Sequence, residues 1–336
     1  MARLTWLQLS DLHFGFETYT TQVAFDEFIK YLKKAIANRE PKPTFLFLTG
    51  DYVFAPNGSE KNRNSAISYI NKILEITGID KKNMFMVPGN HDVKRDINIR
   101  TMILDNIYNN YRPTDGRIES GLVEIAFCGF EAYNCFRKDL YGVDSPCKAD
   151  SIHECDSLPE VNIVRMNTAF AYYKNRSDNR LIFSHLALYN TLASIKNDKP
   201  IILLGHHPLD WALESDKIED LIRSDKRVKL YLCGHNHKFG IHTILKEGQA
   251  RIMCFNNPTF MDQEQKTHDP CQIGFTIGEM GGTYGVDEIS SFWEELFFPE
   301  PQIQDITIGV GTSLFFCVGA YAEVGFNVSK FFRILE

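Results

Sequence analysis

Met84-Phe85-Met86-Val87-Pro88-Gly89-Asn90-His91-Asp92 is the stretch on which the fold turns. Four apolar residues in a row, closed by Pro-Gly, read as a short buried strand. The polar group Asn90-His91-Asp92 then sits where that strand ends. The same grammar recurs on either side. Trp6-Leu7-Gln8-Leu9 precedes Asp11-Leu12-His13, and Phe45-Leu46-Phe47-Leu48 precedes Gly50-Asp51. Ile201-Ile202-Leu203-Leu204 precedes Gly205-His206-His207, and Leu230-Tyr231-Leu232-Cys233 precedes Gly234-His235-Asn236-His237. Between the first three runs lie two amphipathic stretches. Thr21–Asn38 carries Val23, Phe25, Phe28, Ile29, Leu32 and Ile36, and Asn64–Thr77 carries Ile67, Ile70, Ile73 and Leu74 on one face, with Gly78 placed to stop it. Strand, helix, strand, helix, strand is the pattern of an α/β sheet with helical layers. In such sheets ligands bind at the strand ends.

Six of the ten histidines fall inside the five polar fragments. Oxygen donors (Asp11, Asp51, Asn90) mixed with imidazoles suit divalent Mn, Fe, Zn or Co rather than a thiolate site. Side chains two apart on an extended segment point the same way, so Asp11 with His13, and His235 with His237, each present two donors to one place. The set exceeds what one tetrahedral ion needs and suffices for two ions sharing a carboxylate. Two metals about 3.5–4 Å apart form the clamp used for displacement at phosphorus.

The order D-x-H, G-D, G-N-H-D, a later His and G-H-x-H resembles the calcineurin-like metallophosphoesterases, a superfamily that includes purple acid phosphatases, cyclic-nucleotide phosphodiesterases and a repair nuclease. The resemblance covers residues 11–237. It implies two mixed β-sheets packed face to face and flanked by helices, a four-layer α/β/β/α sandwich. It implies Asp11, His13 and His237 on a first metal, Asn90, His206 and His235 on a second, and Asp51 bridging both. It implies a hydroxide between the ions as nucleophile, with Mn the favoured metal. His91 matches the motif histidine that is not a ligand and would contact phosphate and protonate the leaving group. Asp92 would orient His91 or cap the following helix. His206 is preferred over His185, which also follows an apolar run (Leu181-Ile182-Phe183), because the family pattern places a proline soon after the ligand and Pro208 fits. His207 is expected at the rim or behind a ligand. His153, His242 and His268 read as ordinary half-buried histidines.

The implied activity is hydrolysis of phosphate esters, with phosphodiesters of nucleotides or nucleic-acid ends the preferred class. The alternatives are a phosphomonoesterase or protein phosphatase, and a scaffold or subunit of a larger complex. A formal net charge of −7 and a pI near 5.8 argue against a protein that coats nucleic acid. A cationic approach path would have to be local, around Lys94, Arg95, Arg100 and Arg112. Eight cysteines form no C-x-x-C pair, and a strand beginning near Leu4 leaves no room for a leader, so a cytoplasmic enzyme with reduced thiols is expected.

Residues 1–284 are expected to form the catalytic domain, with about 93–160 as a candidate cap or insert. Within that insert Asp96–Tyr111 reads as helix, Gly121–Phe130 and Val161–Met166 as strands, and 131–160 as a loop or cap without clear periodicity. Asn167-Thr168-Ala169 resembles a segment that lies near the site in this superfamily. Ile241–Leu245 and Arg251–Phe255 flank a Glu247-Gly248 turn and read as a hairpin, and Gln272–Ile277 as a further strand. Residues 285–336 form a tail expected to serve as an accessory or interface element, through which a homo-oligomer or larger complex would assemble. Its apolar run Ile306–Val328 is long enough to span a bilayer. Its glycines, Glu323 and the alternation around Phe315–Val324 fit buried strands or an interface better.

Overall fold

The computed structural model describes residues 4–15, 19–37, 42–53, 60–144, 146–149, 151–173, 180–237, 240–244, 252–256, 272–281, 285–295, 304–310 and 313–319, those past 237 and residues 19–24, 27 and 31 by their backbone alone. The first half alternates strand and helix: β1 (Leu4–Leu9), α1 (Tyr19–Ala37), β2 (Phe45–Leu48), α2 (Glu60–Thr77) and β3 (Met84–Met86). Helices α3 (Asn98–Asn110), α4 (Ser120–Ala126) and α5 (Glu131–Tyr141) follow, then β4 (His153–Ser157) and β5 (Asn162–Met166). The second half runs α6 (His185–Ser194), β6 (Ile201–Leu204), α7 (Ser215–Ser224), β7 (Val228–Cys233), β8 (Gly240–Ile244) and β9 (Ile252–Asn256). Strands β10 (Gln272–Gly281), β11 (Gly285–Glu295), β12 (Gln304–Val310) and β13 (Ser313–Gly319) complete the described chain.

The strands form two sheets, ordered β12-β13-β11-β10-β1-β2-β3 and β4-β5-β6-β7-β9-β8. Both are mixed. β1, β2 and β3 run parallel while β10 joins β1 antiparallel, and β5, β6, β7 and β9 run parallel between antiparallel edges β4 and β8.

The continuous apolar runs are explained by burial on both faces. Because strand side chains alternate, Trp6, Phe45, Phe47, Phe85 and Val87 of one sheet meet Ile163, Ile202, Leu204, Leu230 and Leu232 of the other in one shared layer. The intervening residues Leu7, Leu9, Leu46, Leu48, Met84 and Met86 face helices, packing with Phe28, Ile29 and Leu32 of α1 and Ile70 and Ile73 of α2. Ile201, Leu203, Tyr231 and Cys233 do the same toward Leu188 of α6 and Ile218 and Ile222 of α7. Each fully buried large apolar side chain contributes about 1.5–3 kcal/mol, so the twelve residues of the inter-sheet layer are a major source of stability. The four-layer α/β/β/α sandwich expected from the sequence is what the chain forms.

Three local expectations need correction. Gly121–Phe130 is helical, with α4 running into a 3₁₀ turn, Phe127–Phe130. Its buried residues Val123, Ala126, Phe127 and Phe130 recur at three and four, the period of a helix packed on α3, not the period of two of a strand. Residues 131–160 hold α5, with Tyr133, Phe136, Arg137 and Leu140 buried at helical spacing, and the edge strand β4. The Arg137 guanidinium pairs with Glu154 through two hydrogen bonds, at 2.9 and 2.8 Å, and Arg165 reaches the same carboxylate at 2.7 Å. Arg100 is no part of a cationic path. It is fully buried, and it donates to the carbonyls of Ala126 (2.8 Å), Tyr172 (2.8 Å) and Phe170 (2.9 Å), fastening α3 to two other segments.

The expected hairpin is present as β8 and β9, antiparallel, and its Glu247-Gly248 turn lies outside the described residues, as does His268. The run from Ile306 supplies parts of β12 and β13, and residues 320–328 are likewise outside. Among the described residues no helix is long and apolar enough to cross a membrane.

Candidate metal centre

All five polar fragments sit just beyond the C-terminal ends of parallel strands: β1, β2 and β3 in one sheet, β6 and β7 in the other. Packing the sheets face to face brings these ends together. Gln8 of β1 donates to the Cys233 carbonyl at 2.9 Å, tying the two sheets directly beneath the site. Above it the Asp11 carboxylate accepts the His235 amide at 3.1 Å. Within the first sheet the Asp11 and His13 amides donate to the carbonyls of Gly50 and Asp51, each at 2.9 Å.

The backbone at these ends is strained. Asp11, His13, Asp51, His235 and His237 have positive φ, five of the six such non-glycine residues described. A left-handed residue costs roughly 1–2 kcal/mol, tolerated where the surroundings hold it and concentrated at functional sites. Two glycines make the close approach feasible. A Cβ on Gly50, at φ +99°, would stand 2.6 Å from His206 Nδ1, and one on Gly234 would collide with Ser10 and stand 2.5 Å from Asp11 Oδ2.

The donor atoms gather in two overlapping groups. His13 Nε2 and His237 Nε2 are 3.3 Å apart, and Asp11 Oδ1 is 3.8 and 3.4 Å from them. On the other side His206 Nε2 lies 3.1 Å from Asn90 Oδ1, 3.2 Å from Asp51 Oδ2 and 3.3 Å from His235 Nδ1. Asp51 Oδ2 is also 4.0 Å from His13 Nε2, so one carboxylate oxygen faces both groups.

The donor chemistry fits cations. His206 Nδ1 is 2.7 Å from the Thr49 carbonyl, which can only accept. A neutral His206 therefore carries its hydrogen on Nδ1, leaving Nε2 to face the oxygens of Asn90 and Asp51 and a ring nitrogen of His235. Burial pulls the His206 imidazole down, but the Asp51 carboxylate alongside, with Asp11, outweighs it and lifts His206 to about 9. The carboxylates facing Nε2 thus favour a positive charge at this point. Burial drives His13 and His235 to about 3, neutral as ligands must be. Burial works against the Asp11 carboxylate too, yet the His237 hydrogen bond and nearby imidazoles hold it ionised, down at about 2.

His91 stands at the edge of this cluster, a ring nitrogen within 4.8 Å of donor atoms of His13 and Asp51. Its ring is 5.0 Å from His13, edge to face, its amide donates to Asp51 Oδ1 at 2.7 Å, and it is only partly buried. Asp92 engages backbone. It accepts the amides of Asp51 (2.8 Å), Tyr52 (3.0 Å) and Gly89 (2.8 Å), stitching the second and third loops together. It does not cap the next helix, which begins at Asn98 with Ile97 as its N-cap residue. His185 opens α6, with its Nδ1 3.3 Å from the Tyr111 hydroxyl, and belongs to none of the donor groups. His153 is buried, its Nδ1 accepting the Asn167 amide at 3.2 Å.

Of the site's neighbours, Arg95 was singled out in the sequence, while Trp211, Tyr172 and Thr49 were not. Trp211, half-buried, meets the His235 ring at 4.2 Å and 84°. Tyr172 carries the Arg95 guanidinium 4.8 Å above its ring, and Arg95 Nε donates to the Asn90 carbonyl at 3.2 Å. Thr49 is the residue just before a motif glycine. Nothing in local sequence marks Trp211, since its approach to His235 is made by the fold.

Comparison with known proteins bears on the family. A curated relative from Bacillus subtilis (strain 168), the uncharacterized metallophosphoesterase-like protein YydB, is 30% identical over 244 residues, covering 70% of this chain and 49% of its own. This chain thus spans about half the length of that relative. Among solved structures, a dimetal phosphatase from Danio rerio aligns at 12% identity and a TM-score of 0.46, over 87% of this chain and 95% of its own. GAP50, the anchor in the inner membrane complex of Plasmodium, aligns at 12% and 0.43, over 90% and 87%. These structural likenesses are loose. The family sequence pattern, by contrast, matches residues 4–239, from β1 to just past the last histidine of the site, and the chain belongs to the calcineurin-like phosphoesterase family.

Proposed function

We propose that this chain hydrolyses phosphate esters at a dinuclear centre, and that its preferred substrates are phosphodiesters of nucleotides or short nucleic-acid ends. The observation that carries the reading is the meeting of Asp11, His13, Asp51, Asn90, His206, His235 and His237 at two adjoining points with Asp51 between them. Asp11, His13 and His237 would hold one ion, Asn90, His206 and His235 the other, and Asp51 both. Divalent ions bound there, Mn above all, supply charge to neutralise phosphoryl oxygens and to acidify a water.

The remaining steps belong to the protein. The His91 ring, partly open to solvent beside His13, is placed to bind a phosphoryl oxygen and to give its proton to the departing alkoxide. Asp92, through three backbone amides, fixes the loop that carries His91 and Asn90. Half-buried Trp211 and Arg95 border the second group of ligands, and the Arg95 guanidinium suits an anionic substrate. With Arg100 withdrawn into the core, long duplex DNA is the less favoured substrate. A cytoplasmic location and assembly through residues 285–336 complete the proposal.

The test is a substrate panel at fixed salt, with and without chelator. It contains nitrophenyl monoester and diester, cyclic nucleotides, and single- and double-stranded DNA. The expected result is chelator-sensitive diester and nucleotide cleavage restored by Mn. Full activity in chelator would refute the mechanism, and monoester preference throughout would refute the substrate class.

A further inference from the structure

Gly205-His206-His207 offers two imidazoles at one strand end, and the donor atoms of both lie within 4.8 Å of one another and of a His235 nitrogen. On proximity alone either histidine could be the ligand. Thr168 separates them. Its Oγ1 accepts the His206 amide at 3.1 Å and the His207 amide at 3.1 Å, and it lies 3.0 Å from His207 Nδ1.

A hydroxyl has two lone pairs and one hydrogen. Both lone pairs are taken by amides, so the hydrogen is directed at His207 Nδ1. Nδ1 therefore accepts, and neutral His207 carries its own hydrogen on Nε2. Neither nitrogen then has a lone pair to give an ion. His206 is the converse case, with Nδ1 donating to Thr49 and Nε2 bare. His207 Nε2 has no hydrogen-bond partner among the described residues, although the ring is fully buried.

The ring's surroundings say what it does instead. His207 stacks on Tyr172 at 5.7 Å and 17°, with Trp211 at 5.8 Å and Phe183 at 6.1 Å. It lies against His235 at 4.5 Å, while Trp211 meets that same ring at 4.2 Å. We propose that His207 is a positioning residue: Thr168 locks it as the Nε2–H tautomer, and its ring joins Trp211 in a wall that fixes His235. The role of His235 rests on the dinuclear reading above. The proton assignment does not.

Two measurements test this. In the metal-free full-length protein carrying ¹⁵N-histidine, long-range ¹H–¹⁵N spectra should show His207 with an unprotonated Nδ1 and a protonated Nε2, unchanged on saturation with Zn. Thr168→Ser should keep that pattern. Separately, elemental analysis should find two ions in His207→Phe, which keeps a ring but no nitrogen, and at most one in His206→Phe. His207→Ala, which removes the wall, should weaken binding of one ion by roughly 10–100-fold. A protonated Nδ1, a His207 nitrogen that shifts as a direct ligand when Zn binds, or loss of an ion from His207→Phe would each overturn the assignment. Wild-type protein that binds no ion would refute the dinuclear reading instead, and the metal-free spectrum would still decide the tautomer.

Discussion

Replacing Asp51 by asparagine keeps the side chain's shape and one of its oxygens but removes its charge. Asp51 Oδ2 lies 3.2 Å from His206 Nε2 and 4.0 Å from His13 Nε2, so both proposed sites depend on it. Without it the first site keeps Asp11 as its anion, while the second is left with Asn90, His206 and His235, all neutral as ligands. Binding to the folded state alone stabilises it by about 2.7 kcal/mol for each ion supplied at a hundredfold excess over its dissociation constant. Two ions give about 5.4 kcal/mol, or a rise in Tm on the order of 10 °C at about 2 °C per kcal/mol for a large domain. The attraction removed is larger than the gain from either ion. A unit anion about 4 Å from a unit cation at an effective dielectric constant near 20 feels about 4 kcal/mol, and a divalent ion about twice that. Asp51→Asn should therefore empty the second site and weaken the first. Melting curves in chelator and across a Mn titration, with elemental analysis of desalted protein, measure this directly. The wild type should gain about 10 °C and the variant less than half of it. Asp51→Asn protein holding two ions with an undiminished rise would refute the bridging role.

Three further outcomes are expected. His91→Ala should retain both ions and lose roughly 10²–10⁴ in turnover, with a smaller loss for a nitrophenyl leaving group, as steady-state kinetics on matched esters would show. An equal loss across leaving groups would contradict proton donation. Burial raises the Glu154 carboxyl, but Arg137 and Arg165 more than compensate and hold it below its usual value. The folded-state pKa being depressed, its stabilisation is present above about pH 4.5 and disappears as pH falls through the folded value. Glu154→Gln should cost about 3 kcal/mol at pH 7 and flatten the acid limb of the stability–pH curve measured by urea unfolding. Arg100→Leu leaves three carbonyls without their donor, at about 1–3 kcal/mol for each buried group left unsatisfied, so its urea midpoint should fall sharply. Arg100→Lys should recover only part, because an ammonium cannot span carbonyls on two segments. An unchanged midpoint would show that water replaces the guanidinium.

The sequence by itself determined the strands that face two layers, the alternation of strand and helix, and the residues that gather at the strand ends. These were legible because burial on both faces requires unbroken apolar runs, and because a chain rarely puts so many imidazoles directly after such runs without a purpose. The hairpin β8–β9 and helices α1 to α3 were legible for the same periodic reason. What local pattern left open was settled by packing. Leu122, Val123 and Ile125 suit a strand by propensity, but the positions buried against α3 recur at helical spacing, and residues 120–126 follow that surface. Arg100 looked like a solvated cation until three carbonyls from distant segments were found around it. His206 and His207 are adjacent and chemically identical, and only Thr49 and Thr168, 157 and 39 residues away from them respectively, distinguish the two. A hydrogen bond depends on atoms brought within about 3 Å, and for groups that far apart along the chain only the closed sandwich sets that distance.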